Sequence, residues 1–191
     1  MASVFSHAIV AVAMGKLSRS HVMDRRALGL GIFCAILPDV DVIGFAQGVQ
    51  YGDLWGHRGL THSLAFAALL SAVLVTLCYR RESGAVITGM GLYFFLSAVS
   101  HGVLDAMTDG GLGVALFSPF DTTRYFFSVR PVAVSPIGIQ EFFSEQGLAV
   151  LASEAKWIWL PACAAFVGVR TLKQAWLRMH AGPKSTTDKV V

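Results

Sequence analysis

The sequence predicts an all-α, polytopic helical membrane protein with about five membrane-associated helices and a long aromatic-rich loop. Three observations carry that expectation. Of the 191 residues, 54% are hydrophobic and only 14% charged, with a mean hydropathy of +0.60. Soluble domains carry about a quarter charged residues, so ionic groups are too few to cover a water-exposed surface. An uncharged run, Ser63 to Tyr79, stops abruptly at Arg80-Arg81. Basic residues also cluster between alternate apolar runs. The length fits one domain, residues 1–182, followed by a flexible polar tail, 183–191.

The first apolar element, Val4 to Gly15, has no Lys or Arg before it, and Lys16 and Arg19 follow it. That order is wrong for a signal peptide, so it reads as a retained helix carrying His7. The second, Ala27 to Leu37, runs into Pro38, which disfavours helical geometry at Leu37 and is expected to end the helix there. Neither is long enough to span comfortably. Broken helix ends at membrane depth are tolerated only beside protein or a polar cavity, which hints at a site. The third, Ser63 to Tyr79, is the clearest span. With Leu60 to His62 as a lead-in, and Thr61 able to cap it, it approaches the ~20 residues that cross a hydrocarbon core. The fourth runs from Ala85 to about Met107, apolar until Ser100, with His101 and Asp105 near its end. A stretch rich in Gly, Pro and aromatics follows, Asp109 to Glu145, including Tyr125-Phe126-Phe127; a connection so long is expected to be an ordered interfacial cap. The fifth lies within Gly147 to Trp176, where Trp157, Trp159 and Trp176 mark interfaces and Glu154, Lys156 and Pro161 interrupt the pattern. Cys34, Cys78 and Cys163 each sit in an apolar stretch, an odd number without paired spacing, and read as buried small hydrophobes.

Charge orients the chain. Alternating helices put segments 16–26, 80–84 and 170–191 on one face, with 11 of the 15 basic residues and only Asp24, Glu82 and Asp188 among the acids. By the positive-inside rule that face is cytoplasmic. The basic residues come in ones and twos, so nucleic acid is not an expected partner; the lipid bilayer is. Oligomeric state is left open.

On this topology His7, Asp39, Asp41, His57, His62, His101 and Asp105 all fall at the same ends of their helices. His101 and Asp105, four apart, share a helix face and can bind one ion. Asp39 and Asp41 follow the helix-breaking Pro38. His57 and His62 flank an Arg-Gly turn and need that turn at Gly59 to meet. Each piece alone has a structural explanation: a hydrogen-bonded pair, a solvated helix end, a satisfied core histidine. Together they do not, because ionisable residues in membrane spans cost a few kcal/mol each on insertion scales. A divalent cation offsets that cost by binding imidazoles and carboxylates directly. Mixed N and O donors suit zinc best, with manganese or iron next.

The segments SHAIVAVAMG, LPDVDVIGF, HRGLTHSL and SHGVLDAMTDGGLGVALFSPF, in that order, resemble the YdjM-like, LexA-regulated membrane-bound metal-dependent hydrolases of the bacterial inner membrane. The likeness covers about residues 3–127. It implies an inner-membrane, multi-pass hydrolase with its site on the non-cytoplasmic side. The order His…Asp…His…His-x-x-x-Asp is also distantly similar to zinc-dependent phospholipase C. That likeness implies His7, one of Asp39 or Asp41, His62, His101 and Asp105 as metal ligands. A later His-x-x-x-Glu pair is missing, so one or two ions are expected and not three.

The expected activity is hydrolysis of a phosphoester or ester of a lipid-like substrate by metal-activated water. Asp41 is placed with the metal ligands, and Asp39 and His57 as catalytic acid–base groups, although either aspartate can take the proton. Arg58 and Arg124 are the substrate-binding candidates, since a planar guanidinium matches phosphate oxygens. Two rivals belong to other classes. An ion or small-solute transporter, or a proton relay, needs polar residues through mid-span, and the third run offers only Ser71 and Thr76. A non-catalytic metal-binding scaffold would favour four Cys-rich ligands.

Overall fold

A computed structural model describes residues 1–18 and 23–180. The polar tail 183–191 lies outside the described residues. The fold is all-helical, with helices α1 (Val4–Leu17), α2 (Arg25–Ile36), α3 (Leu64–Tyr79), α4 (Gly84–Ala106), α5 (Ile139–Phe142), α6 (Glu145–Glu154) and α7 (Leu160–His180). Pro38 does not stop the chain as expected. It ends the α-helical bonding at Ile36, and a tighter 3-10 helix continues from Leu37 to Gln47, with proline in the first turn where no N–H is required. The result is an unbroken 23-residue apolar rod, Arg25–Gln47, ending at Gly48 with φ +84°. A similar device joins α6 to α7: a π-helical turn, Ala155–Trp159, absorbs the interruption and leaves one continuous helix from Glu145 to His180.

Three helical stretches are therefore long and apolar enough to cross a membrane: Arg25–Gln47, Gly84–Ala106 and Glu145–His180. Helices α1 and α3 are the two shorter apolar ones. The run expected to be the clearest span is thus among the shorter, because its helix starts only at Leu64. Its cap is Ser63, whose hydroxyl accepts from Phe66 N at 3.1 Å, and not Thr61, whose hydroxyl is turned toward Asp41.

Helix α4 is the central element, packing against α1, α2 and α3. Small residues let the backbones close in, as apolar helices in lipid require. A Cβ on Gly31 would stand 2.1 Å from the Tyr93 hydroxyl oxygen, so only glycine admits that ring between α2 and α4. The hydroxyl then reaches across to donate to Ala11 O in α1 at 3.1 Å. Around it lie Cys34, Ala67, Met90, Phe94 and Ala98. Cys34 is buried as expected, but Cys78 is only half-buried and Cys163 is exposed, since α7 buries none of its side chains.

The Gly- and Pro-rich segment after α4 is ordered by two isolated bridges, Thr108 to Val132 and Val114 to Tyr125, with Val114 and Val132 buried. It sits over the end of the bundle where α1 and α3 begin and α2 and α4 finish. That end carries the candidate site.

Candidate metal centre

Four elements deliver the expected residues to one place. His7 comes from the first turns of α1, Asp39 and Asp41 from the 3-10 extension of α2, His62 from the turn before α3, and His101 and Asp105 from the last turns of α4. His7, His101 and Asp105 are fully buried, and His62 nearly so. One ligand atom each from Asp39, His62, His101 and Asp105 lies within 4.8 Å of all the others, and a second such group is Asp41, His57 and His62.

Hydrogen bonds behind the rings fix what the rings present forward. His101 Nδ1 lies 2.6 Å from Ala35 O, an acceptor only, so that nitrogen carries the proton and Nε2 carries a lone pair. His62 Nδ1 faces Asp41 Oδ2 at 3.2 Å and the Thr61 hydroxyl at 3.0 Å. Thr61 spends its one hydrogen on Asp41 Oδ2 at 2.7 Å, so it too accepts from His62. In the neutral ring His62 Nε2 is then also a lone pair. The two Nε2 atoms stand 3.0 Å apart, an arrangement that repels unless a proton or a cation lies between them. Asp39 Oδ1 is 3.3 Å from His101 Nε2 and 3.7 Å from His62 Nε2; Asp105 Oδ2 is 3.9 and 3.6 Å from the same atoms. Donors about 3.4 Å apart are what a tetrahedral ion with bonds near 2.1 Å requires. Both oxygens of Asp39, both ring nitrogens of His7 and His57 Nε2 are buried without hydrogen-bond partners. Such orphans are rare in native interiors and call for an explanation; here they belong to the same cluster of histidines and aspartates. His7 stacks on His101 with ring centres 3.8 Å apart, and its Nε2 is 3.7 Å from Asp105 Oδ1.

The side-chain charges agree. Three carboxylates, Asp39, Asp41 and Asp105, are gathered around the histidines against the guanidinium of Arg58. The field already shows on His62: burial opposes its charged form, yet Asp105, Asp39 and Asp41 outweigh burial and push its pKa up to about 10.

Asp41 is the hub behind the rings. Its Oδ1 accepts from His57 Nδ1 at 2.7 Å, and its Oδ2 takes Thr61, His62 and, at 3.3 Å, the Arg58 amide. A carboxylate holding the rear nitrogen of a ligating imidazole is the usual outer support of a metal site. His57 is thereby left with an unpartnered Nε2, its ring centre 5.3 Å from that of His62.

The two arginines are occupied. Arg58, fully buried at φ +62°, donates to Asp105 Oδ2 at 3.1 Å, Gly110 O at 2.9 Å and the Thr108 hydroxyl at 2.9 Å. Gly111, at φ +88°, must be glycine, since a Cβ there would fall 2.7 Å from Arg58 Nη1. Arg124 reaches back from the long loop to the carbonyls of His57, Tyr51 and Asp53 and ties that turn down.

One participant is absent from the sequence expectation. Glu154, at the end of α6, is fully buried and accepts from Ser3 N, the Ser3 hydroxyl and, at 2.8 Å, the Ser6 hydroxyl. Ser3 is the N-cap residue of α1 but makes no cap with its own side chain, so Glu154 caps that helix from across the chain. Trp159 Nε1 donates to Ser6 as well, at 2.8 Å. Next to this clamp, Ala2 N donates to Asp105 Oδ1 at 2.7 Å and His7 enters the centre. Glu154 read as an interruption in the sequence; an acid inside an apolar span was itself the signal.

The profile of a family described as "YdjM inner membrane protein" matches residues 1–177. Among curated proteins, the chain is similar to "Inner membrane protein YbcI" of Escherichia coli (strain K12), 38% identical over 161 residues, which is 84% of this chain and 92% of that protein. No solved structure matches.

Proposed function

Because the chain belongs to the YdjM family of inner membrane proteins, we propose that it acts in the inner membrane as a multi-pass, metal-dependent hydrolase that cleaves a phosphoester or ester of a lipid-like substrate. One observation carries this reading: the facing Nε2 atoms of His62 and His101, 3.0 Å apart, with the orphaned carboxylate of Asp39 and that of Asp105 beside them. His62, His101, Asp39 and Asp105 would hold the ion, with His7 stacked beside them. Zinc suits the donor set best. The aspartates exchange the roles expected from sequence, Asp39 joining the ligands and Asp41 orienting the histidines.

A divalent ion bound there supplies Lewis-acid polarisation of the ester and a more acidic water. His57 takes a proton from the attacking water on Nε2, while Asp41 holds the Nδ1 proton and stabilises the imidazolium. The same proton then passes to the departing alkoxide, so His57 ends the cycle neutral. Arg58 serves as the internal counter-ion of Asp105, and Arg124 as the strap on the turn that carries His57. Entry is beside Asp39, whose side chain, 10% exposed, is the most accessible of the candidate ligands. Its neighbours Val40 and Ile43 are 50% and 58% exposed, which supports a substrate arriving from the bilayer. The distribution of basic residues supports a centre on the non-cytoplasmic side.

The test is metal analysis of detergent-purified protein beside His62→Ala and His101→Ala, paired with cleavage of phosphodiester and carboxyl-ester reporters. Wild type is expected to retain a stoichiometric divalent ion and to lose cleavage on chelation, and both variants to lose ion and cleavage together. Full metal content in both variants, or cleavage indifferent to chelation, overturns the reading.

A further inference from the structure

At the end of the bundle opposite the metal centre, α1 and α7 part to form two adjoining cavities. One, of about 390 Å³, runs between them toward the bundle middle and is lined by Ile9, Val12, Ala162, Phe166 and other apolar side chains, with Lys16 at its rim. The second, about 290 Å³, shares Lys16 and Phe166 with the first and adds Arg170 and Lys173. The two form one continuous groove, greasy along its length and cationic at its mouth. No acidic side chain among the described residues lines either part. Among the described residues, Lys16, Arg170 and Lys173 have no ion-pair partner, the ion pair made by a Lys or Arg being that of Arg58 with Asp105.

We propose that this groove binds one anionic phospholipid of the cytoplasmic leaflet, its phosphate among Lys16, Arg170 and Lys173 and an acyl chain along α1 and α7. Charge complementarity selects the occupant. Three cations from two helices, without an ion-pair partner among the described residues, meet at the level where the positive-inside pattern puts the membrane surface, the position at which basic interhelical pockets take lipid headgroups. Lys16 suits the junction because its methylene stem lies on the apolar wall while its ammonium reaches the headgroup. Arg170 and Lys173, three apart on α7, share one face and close on the same anion. The groove lies outside the metal centre and touches none of its residues. A bound lipid would fasten α7, which buries no side chain of its own, to α1, the helix that carries His7 at its other end.

The experiment uses the full-length protein in detergent, titrated with phosphatidylglycerol, phosphatidylcholine or inorganic phosphate, with retained lipid counted by native mass spectrometry and thermal stability followed in parallel. Wild type is expected to retain one phosphatidylglycerol in preference to phosphatidylcholine and to gain stability from it. Lys16→Gln/Arg170→Gln/Lys173→Gln is expected to lose that preference by roughly tenfold or more, the scale set by a few interfacial charges. Ala162→Trp, which fills the apolar part, is expected to lose lipid while keeping the charges. Equal retention of the two lipids by wild type, or an undiminished preference in the triple variant, overturns the proposal. Stabilisation by inorganic phosphate equal to that by phosphatidylglycerol also overturns it, by showing a simple anion site. Metal content is expected to stay at the wild-type level throughout, so failure here is distinguishable from failure of the hydrolase reading.

Discussion

Replacing Asp41 with Asn changes one atom and should separate the two aspartates. The carboxylate accepts from four donors, His57 Nδ1, His62 Nδ1, the Thr61 hydroxyl and the Arg58 amide. An amide offers one acceptor oxygen and puts an NH₂ where the other oxygen was. If the NH₂ faces the Oδ2 site, His62 Nδ1 can no longer donate backward and its proton moves to Nε2, the atom that faces His101 at 3.0 Å. The metal then loses a lone pair it can recover only by paying for the unfavourable tautomer. Loss of such outer support typically lowers metal affinity 10- to 100-fold, about 1.4–2.7 kcal/mol. If the NH₂ faces the Oδ1 site, His57 is the ring forced into the wrong tautomer. Activity at saturating metal is then expected to fall by about 10² to 10⁴, as when a triad carboxylate becomes an amide. Asp39→Asn differs in kind, because it removes a direct donor and should abolish stoichiometric binding. Competition titration with a chromophoric zinc chelator, followed by hydrolysis at saturating zinc, reads both quantities. Wild-type affinity and rate in Asp41→Asn would refute the tautomer argument. Complete metal loss in Asp41→Asn, with Asp39→Asn still loaded, would refute the assignment of Asp39 as the ligand.

The metal-stripped protein should show a pH-dependent stability traceable to His62. Its folded pKa of about 10 lies above the ordinary 6.5, so the stabilisation is fully present below about pH 6.5 and is lost as pH rises toward 10. Thermal melts of chelated protein are expected to drop across that window and melts with saturating zinc to drop less; a flat chelated profile would show that the carboxylates do not act on His62. Gly31→Ala should destabilise by about 1–3 kcal/mol through its collision with Tyr93. Gly29→Ala, with nothing within 4 Å, should be neutral or mildly stabilising, and equal melting temperatures for the two would remove the close-packing account. Arg58→Met takes the guanidinium from Asp105 Oδ2 and leaves the buried carboxylate with the Ala2 amide and the His62 ring, a loss of about 1–3 kcal/mol. Were Arg58 instead a phosphate ligand, the variant would melt like wild type and show its defect in KM.

The site was legible in the sequence because its residues break the rules of the elements that carry them. Histidines and aspartates at the ends of apolar runs have no reason to agree in sidedness unless they meet, and His7, Asp39, His62, His101 and Asp105 do meet. What stayed hidden is work done by atoms whose identity gives no clue. Ala35 contributes a carbonyl that fixes the His101 tautomer, and Thr61, expected to cap a helix, accepts from His62. Asp39 and Asp41 could not be told apart by spacing, because Pro38 was expected to end the helix. The continuing 3-10 turn decides which carboxylate points at the histidine tips and which at their rear. Arg58 and Arg124 were assigned by chemistry alone, whereas their partners Gly110, Thr108, Tyr51 and Asp53 lie tens of residues away in sequence. Glu154 makes the point most fully. Its hydrogen-bond partners are 148 to 151 residues distant, so no local pattern could pair it with Ser3 and Ser6. Yet the principle that flagged the candidate metal centre, that an ionisable group in an apolar span must be bonded to something, applied to it equally, and the structure places it in the helix cap beside that candidate centre.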